Sequence, residues 1–309
     1  MDSKKYILAV PNFSEGRRLD VVEAITSVVK NKDGVTLVSV EPEHDFNRTV
    51  VTLLGEPQPL KEALIALAGK SYELIDMTEQ KGTHPRIGAQ DTIPLFPFKN
   101  VTIDECSVLA EEIGQEIYAK YQVPVYFSAV NARTEDKKTI SFIRKGQYEG
   151  LKALLEDPNH PDYEARRPDL SVDGKLSPTL GATIVSADLE GLTAYNVFLA
   201  TEDVNIAKAI AKAVRGPSGG FSTTRAVGIK FPEREGVVVS INMFDCGQTP
   251  LYRAFELVKL EAQHYGVAVT GSEIVGPVKL EYLLNNLNHY LGLQGLRNEQ
   301  ILETHLMEK

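Results

Sequence analysis

The 309-residue sequence has no tryptophan and only two cysteines, Cys106 and Cys246, which lie far apart and belong to no CxxC pair. Neither a disulfide framework nor a cysteine-based metal site is therefore expected. No apolar run approaches the roughly 20 residues that a membrane-spanning helix needs, and the apolar stretch near the N-terminus is too short for a signal peptide. We therefore expect a soluble, cytoplasmic protein that does not bind membranes.

Basic residues are fewer than acidic ones. The chain has 33 Lys and Arg against 42 Asp and Glu, giving a formal net charge of −9. Because nonspecific nucleic-acid binding needs a basic surface, we do not expect a nucleic acid as a partner. A few local cations would still suffice to bind an anionic small molecule.

Several catalytic and ligand-binding motifs are missing. No Gly-rich segment matches a phosphate-binding loop or a dinucleotide fingerprint, and there is no GxSxG elbow. His44 and Asp45, with nearby acidic residues, resemble metal ligands, but no further histidine stands at ligand spacing, and zinc sites need three or four ligands. We therefore expect no metal, which disfavours a metal-dependent hydrolase.

What the chain does contain is one order of elements that occurs twice. Hydrophobic periodicity predicts strand, helix, strand, strand and helix over residues 6–75, and the same order with a closing strand over residues 194–276. In each copy a proline stands near the first turn of the second helix, where proline is tolerated. This is the order of a ferredoxin-like split βαβ unit. We predict an α/β (α+β) protein of two subdomains, each built on such a unit.

The segment between the two copies has a different composition. The first copy continues through "TIPLFPF", a helix over residues 104–122 and the strand "PVYFSAV". Residues 131–181 are then rich in proline, aspartate and charge, with few periodic stretches, which predicts a loop or linker. We place the domain boundary near residue 180. The N-terminal subdomain is then 1–180, including the linker 131–180, and the C-terminal subdomain is 181–309.

Four polar stretches stand at predicted strand ends and turns, where functional residues are commonly found: "PNFSEG" (11–16), "EPEHDFNR" (41–48), "THPRIGAQD" (83–91) and "SPTLGAT" (177–183). His84 is a candidate acid–base residue, since histidine titrates near neutral pH; the alternative is a hydrogen-bonded loop histidine. Asn12 either caps the first helix or enters a site. Asn47 and Arg48 either complete a hairpin or hold a carboxylate through the guanidinium fork.

Five of these segments together resemble the glutamate formiminotransferase family: "VPNFSEG", "NRTVVTLLGEP", "IDMTEQKGTHPRIGAQDTIPLFP", "ATEDVNIAKAIAKAVRG" and "SEIVG". The resemblance runs from about residue 6 to 290, and "HPRIGAQD" is its strongest motif. It implies transfer of a formimino group from N-formimino-L-glutamate to N5 of tetrahydrofolate, a step of histidine degradation. It also implies tetrahydrofolate as co-substrate, a folate tunnel between the subdomains, and a stand-alone form without cyclodeaminase.

The resemblance also assigns residues. His84 matches the family's catalytic histidine, and Glu41 matches its acidic residue at the end of the second strand. The folate-contacting loop matches Ser177, Pro178, Thr179, Leu180 and Gly181. Beyond the family pattern, we predict that Glu41 orients the imidazole, that Arg48 or Arg86 holds a glutamyl carboxylate, and that Asn12 and Asn47 are polar anchors.

Asp188 stands where the family usually has an arginine, and we predict that Arg166, Arg167 and Lys175 compensate for the missing cation. The substitution keeps a second donor open, such as formylglutamate. A folate- or amino-acid-binding module without turnover is the alternative from another class. A homodimer is the base-rate expectation for such an enzyme.

Overall fold

The computed structural model describes residues 4–189, 191–231 and 235–304. The chain divides into two compact units, the first ending at Leu189 and the second beginning at Glu190. The division falls later than the predicted boundary near 180, because Thr183–Ala187 is a strand that pairs inside the first sheet.

The first unit is a sheet with helices. Its strands are β1 (Tyr6–Ala9), β2 (Asn12–Phe13), β3 (Val35–Glu43), β4 (Arg48–Gly55), β5 (Gln90–Lys99), β6 (Val125–Ala129) and β7 (Thr183–Ala187). Its helices are α1 (Leu19–Ser27), α2 (Pro57–Leu74), α3 (Ile103–Tyr121), α4 (Ile140–Ile143), α5 (Gln147–Glu156) and α6 (Tyr163–Arg166). Strand β1 lies between β4 and β5, and β3 pairs with the far side of β4, all antiparallel. This is the predicted split βαβ order, which β7 and β6 extend in parallel.

The helices that cover this sheet begin where the sequence favours a helix start. Helix α2 has a proline in its first turn, where the missing N–H carries no penalty. Helix α3 starts with a capping box, in which Thr102 accepts the Glu105 backbone N–H and the Glu105 carboxylate accepts that of Thr102. Their apolar faces pack on the sheet. A buried hydrogen bond of 2.6 Å also joins the Tyr72 hydroxyl of α2 to the Thr183 hydroxyl of β7.

The segment of residues 131–180 is folded, and the prediction of a loop or linker is wrong for much of it. Helix α5 has ten residues and buries Tyr148, Leu151, Leu154 and Leu155 in the first core. The Tyr126 hydroxyl donates to the Arg166 carbonyl at 2.6 Å. Short helices among prolines and aspartates give little periodicity, so the order of this segment comes from tertiary contacts.

The second unit repeats the arrangement on a smaller scale. Its elements are β8 (Thr193–Leu199), α7 (Val204–Val214), β9 (Thr224–Ile229), β10 (Val237–Met243), α8 (Leu251–His264), β11 (Val269–Val275) and α9 (Leu280–Leu291). The strand order β11-β8-β10-β9 is antiparallel throughout, which again is the predicted split βαβ order. In the described part of the chain, no helix is both long and apolar enough to cross a membrane.

Candidate active site

The structure brings the four polar stretches of the sequence together in the first unit. The centre of the group is residues 81–89, called here the histidine loop. The Ser14 N–H donates to the Ala89 carbonyl at 2.8 Å, and the Asn47 side chain donates to the Lys81 carbonyl at 3.0 Å. From the other side, the Ala89 N–H donates to the Leu180 carbonyl at 2.9 Å. The histidine loop is therefore fixed by the other three stretches.

A β-bulge begins the strand that follows this loop. Asn12 of β2 stands opposite Thr92, but Phe13 stands opposite Gln90, so Asp91 is an extra residue in β5. A bulge of this kind turns a side chain toward the face on which its neighbour lies. It brings the Asp91 carboxylate to the sheet face that also carries the Asn12 side chain.

Asp91 is the buried centre of a charged cluster. Its Oδ2 accepts Nη1 of Arg48 at 2.6 Å and also Nη2 of Arg144, while its Oδ1 accepts the Ile87 N–H at 2.8 Å. Arg48 Nε donates to Asn12 Oδ1 at 3.0 Å. Asp91 is 0% exposed and Arg48 6% exposed. Arg48 and Arg144 are called here the arginine pair; two cations share one carboxylate oxygen.

The cluster keeps its charges at neutral pH. Burial lowers the pKa of Arg48 to about 10, opposed by the attraction of Asp91 and assisted by the charge of Arg144. Burial by itself raises the pKa of Asp91, but the charges of Arg144 and Arg48 outweigh it, and the pKa lies below its ordinary value. Two guanidinium groups and one carboxylate therefore leave one net positive charge beside the histidine loop.

His84 faces this positive charge. Its Nδ1 lies 2.8 Å from the Pro85 carbonyl oxygen, and its ring lies 5.5 Å from the ring of Phe46. A carbonyl only accepts hydrogen bonds, so Nδ1 carries the proton and Nε2 of the neutral imidazole keeps its lone pair. Burial, then the charges of Arg48 and Arg144, lower the pKa of His84 to about 4. The side chain is thus a neutral base at pH 7.

We expect NMR titration of the ligand-free protein to find the His84 imidazole neutral down to about pH 4. Because a nearby guanidinium disfavours the imidazolium form, Arg144→Gln should raise the pKa of His84 toward the ordinary value. The His84 signal is assigned by its loss in His84→Ala. Arg133→Gln, at an exposed arginine paired with Glu111, serves as the control and should leave the titration unchanged. A His84 titration near pH 6.5 in the unaltered protein contradicts this description of the site.

Glu41 lies on the edge strand β3. It stands opposite Val50, which in turn stands opposite Asn12, so Glu41 shares a sheet face with Asn12. The prediction had Glu41 orienting the imidazole of His84, yet the hydrogen bond at Nδ1 goes to the Pro85 carbonyl. A catalytic role of Glu41 stays a prediction.

Arg86 has a different role from the predicted one. Its Nε donates to Gln80 at 2.7 Å, its Nη1 to Gln147 at 2.7 Å and Glu149 at 2.8 Å, and its Nη2 to Glu149 at 2.7 Å and the Gln80 carbonyl at 3.1 Å. These bonds use all five N–H groups of the guanidinium. Arg86 therefore ties the histidine loop to α5, and none of its donors is left for a substrate carboxylate.

The two asparagines hold neighbouring chain segments in place. Asn47 has a left-handed backbone with φ of 49°, and its Oδ1 accepts the Gly16 N–H at 2.9 Å. Asn12 donates to the Val10 carbonyl at 2.8 Å and accepts from Arg48. Both amides thus position the site, and direct contact of either with a ligand stays a prediction.

The loop predicted to contact folate is a tight turn against the histidine loop. Two backbone hydrogen bonds of 3.0 Å between Ser177 and Gly181 close it. The Thr179 carbonyl accepts the Met77 N–H at 2.7 Å, and the Pro178 carbonyl accepts the Tyr148 hydroxyl. Pro178 and Thr179 have exposed side chains, so the turn offers a fixed surface to a ligand.

Gly181 is required at the end of this turn. Its φ is +71°, and a Cβ there would lie 1.9 Å from the Ile87 carbonyl oxygen. We expect Gly181→Ala to lower the free energy of unfolding by about 3 kcal/mol or more in urea titrations. Gly266 is the matched control, with φ of +67° and nothing within 4 Å of its Cβ position. Gly266→Ala should cost only the left-handed strain of roughly 1–2 kcal/mol. Equal losses in the two variants would show that the carbonyl contact is unimportant.

Sequence reasoning missed two members of the charged cluster. Asp91 stands inside "HPRIGAQD" but received no role, and Arg144 lies in the segment taken for a linker. Arg166, predicted to compensate for Asp188, is 4% exposed and donates to the carbonyls of Ile143 and Lys145. Arg166 is therefore buried and bonded to the backbone, and its compensation for Asp188 stays a prediction.

The remaining candidate groups are structural in character. Cys106 and Cys246 are both buried, and burial raises the pKa of the Cys106 thiol to about 11. Over the described residues, no three or more His, Cys, Asp or Glu side chains form a group that could hold a metal ion. A neutral imidazole next to the arginine pair is an arrangement that can move protons on an anionic small molecule.

Comparison with known proteins identifies the family. Residues 6–188 match the family model described as the formiminotransferase domain, N-terminal subdomain, and residues 194–306 match that described as the formiminotransferase domain. The chain belongs to the formiminotransferase family, and the resemblance of its motifs is confirmed. It is 36% identical to the glutamate formimidoyltransferase of Streptococcus pyogenes serotype M1, over 98% of this chain and 99% of that protein.

Two further relatives place the chain within the family. The glutamate formimidoyltransferase of Thermoplasma acidophilum is 37% identical over 95% of each chain. The formimidoyltransferase-cyclodeaminase of Gallus gallus is 35% identical over 93% of this chain but only 52% of that protein. The chain is therefore similar in extent to the stand-alone transferases, and to about half of the bifunctional protein.

Proposed function

We propose that the protein is a glutamate formimidoyltransferase, which moves the formimino group of N-formimino-L-glutamate to N5 of tetrahydrofolate. The products are 5-formiminotetrahydrofolate and L-glutamate, and tetrahydrofolate is a co-substrate. The observation that carries the proposal is the neutral imidazole of His84 beside the arginine pair. The identity of 36% and 37% to two glutamate formimidoyltransferases over nearly the whole chain supports it.

His84 is proposed as the acid–base residue. Attack of the N5 amine on the formimino carbon forms a C–N bond and a tetrahedral adduct, and the bond from that carbon to the glutamate nitrogen then breaks. The proton that leaves N5 must reach the departing nitrogen. His84 Nε2, which keeps its lone pair at neutral pH, takes this proton and then donates it. Such a group typically contributes about 10²–10⁴-fold to the rate.

Arg48 is proposed to hold a carboxylate of the donor. A bound carboxylate would neutralise part of the positive charge that lowers the pKa of His84. The pKa of His84 therefore rises when the donor binds, which makes the imidazole a stronger base at the moment of proton transfer. Donor binding and the basicity of His84 are therefore coupled through the charge of the donor carboxylate.

The other assignments complete the proposal. The turn of residues 177–181 contacts the folate, because its exposed Pro178 and Thr179 lie next to the histidine loop. Glu41 supports catalysis from the same sheet face as Asn12. A homodimer and a cytoplasmic location stay expectations for an enzyme of this kind.

Initial rates with two donors test the proposed function. The purified protein is mixed with tetrahydrofolate and either N-formimino-L-glutamate or N-formyl-L-glutamate, and the folate product is measured by mass spectrometry. We expect saturable turnover with the formimino donor. Turnover with the formyl donor alone would change the assigned donor. Binding of tetrahydrofolate without turnover of either donor would identify a folate-binding module instead.

A further inference from the structure

We propose that Arg144 completes a carboxylate-binding site with Arg48, and that this arginine pair recognises the α-carboxylate of the glutamyl donor. The inference rests on the proposed function and deepens it. It makes Arg144, a residue outside the two split βαβ units, a determinant of donor specificity.

The charge of the cluster favours a bound anion. The side chains of Arg48, Arg144 and Asp91 are 7%, 14% and 0% exposed, so their charges are largely removed from water. Both guanidinium groups bond to Oδ2 of Asp91, and Oδ1 is used by the Ile87 N–H. Among the described side chains Asp91 is the partner of both cations, so one buried positive charge exceeds the negative charge paired with it, which is unfavourable unless an anion binds there.

The hydrogen bonding of the arginine pair also favours a bound anion. Arg144 Nε is buried and has no hydrogen-bond partner in the part of the chain that the structure describes. Arg48 donates from Nε to Asn12 and from Nη1 to Asp91, and within the described residues its Nη2 has no partner. A buried N–H such as that of Arg144 Nε is nearly always paired in folded proteins. A carboxylate with two acceptor oxygens would satisfy both arginines.

Arg144 is held in place by the segment of residues 131–180. Arg166 Nη2 donates to the carbonyl of Ile143 at 3.0 Å and to that of Lys145, the residues on either side of Arg144. The Gln147 N–H donates to the Arg144 carbonyl at 2.8 Å. The buried Arg166 thus fixes the backbone that carries Arg144.

The chemistry of the donor favours its α-carboxylate as the anion. In N-formimino-L-glutamate this carboxylate is attached to the carbon that carries the reacting nitrogen. Both arginines bond to Asp91, which accepts the Ile87 N–H of the histidine loop, so the arginine pair lies against the loop that carries the proposed base. The carboxylates of the folate tail are separated from N5 by the whole p-aminobenzoyl group. An anion near both the base and the reacting carbon is therefore the donor's own.

Calorimetric binding and initial rates test the inference. L-Glutamate and its α-amide, L-isoglutamine, are titrated into the unaltered protein, Arg144→Gln, Arg144→Lys and the control Arg133→Gln, each in the presence of tetrahydrofolate. We expect Arg144→Gln to weaken glutamate binding, and to raise KM for N-formimino-L-glutamate, by roughly 10–100-fold. KM for tetrahydrofolate should stay within about twofold. The unaltered protein should prefer glutamate to the α-amide, Arg144→Gln should lose that preference, and Arg144→Lys should keep part of it.

Three results would overturn the inference: unchanged glutamate binding in Arg144→Gln, a rise in KM for tetrahydrofolate alone, or the same loss in Arg133→Gln. The second result would assign the pair to the folate tail. Thermal melting separates a folding defect from a binding defect, and a folded Arg144→Lys variant that still discriminates against the α-amide supports the inference. Glutamate binding is measured without turnover, so failure of the proposed transfer reaction would be recognised separately.

Discussion

We expect His84→Ala to lower kcat for formimino transfer by about 10²–10⁴-fold, the usual contribution of one general acid–base residue. The fold should be preserved, because the described hydrogen bond of the His84 side chain goes to the carbonyl of its own neighbour, Pro85. Tetrahydrofolate should still bind, because the proposed folate contacts lie on the turn of residues 177–181. Rates at saturating donor and acceptor, with circular dichroism of both proteins, measure the effect.

His44 provides the matched control for this prediction. It lies on an exposed stretch close in sequence to Phe46, which contacts His84, and its ring bonds to the exposed Asp45 at 3.2 Å. His44→Ala should leave kcat within about twofold, as expected for an exposed residue away from the chemistry. If His84→Ala retains the unaltered rate, His84 is a structural loop residue and the proposed proton transfer is wrong.

The second large effect is expected at Asp91. Asp91→Asn keeps the volume of the side chain but removes the negative charge between Arg48 and Arg144. Breaking a buried ion pair by removing one partner typically costs about 3–5 kcal/mol, since the other charge is left buried and uncompensated. We therefore expect the free energy of unfolding in urea to fall by roughly that amount.

The control for this prediction is Asp45→Asn. The Asp45 side chain is 81% exposed and bonds to the exposed ring of His44, so its replacement should change stability by less than about 0.5 kcal/mol. Sodium chloride should not reproduce the effect of Asp91→Asn, because salt screens buried pairs far less than exposed ones. A loss at Asp91 no larger than that at Asp45 would show that the arginine pair does not need its carboxylate.

Most of the fold is present in the local pattern of the sequence. The two split βαβ units were predicted because apolar residues repeat with the spacing of a strand or of a helix within each element. In α2, for example, Leu60, Leu64 and Leu67 are buried. The order of elements then limits the topology to a few possibilities. Within each sheet, the four strands of the repeated unit have the predicted split βαβ order.

The parts that were missed depend on contacts distant in sequence. Strand β7 is short and buried throughout, and it pairs in parallel with β5 and β6, so it shows no alternation and was not predicted as a strand. Helix α5 has buried residues over only ten positions, in a segment dominated by turn-forming residues. Neither element has a local signal strong enough to separate it from a loop.

Among the site residues too, those with a local sequence signal were predicted and those that depend on distant contacts were not. His84 was chosen as a candidate because it stands in a loop that leads into an apolar strand, and Arg48 because it begins one. Arg86 was predicted to bind a ligand carboxylate. Its guanidinium instead pairs with Glu149, which is distant in sequence, and the sequence alone does not show this contact. Asp91 and Arg144 were missed because they meet only in the folded protein. A β-bulge places Asp91, and the end of a distant helix brings Arg144 to it.

The most direct test of the account is a single-turnover experiment with N-formimino-L-glutamate labelled with ¹³C at the formimino carbon. Enzyme in excess is mixed with the labelled donor and tetrahydrofolate, and NMR follows the label while free glutamate is measured. The account predicts that the label moves to N5 of the folate, that an equal amount of glutamate is released, and that His84→Ala slows both together. A label that stays on glutamate, or that moves equally fast in His84→Ala, would contradict it.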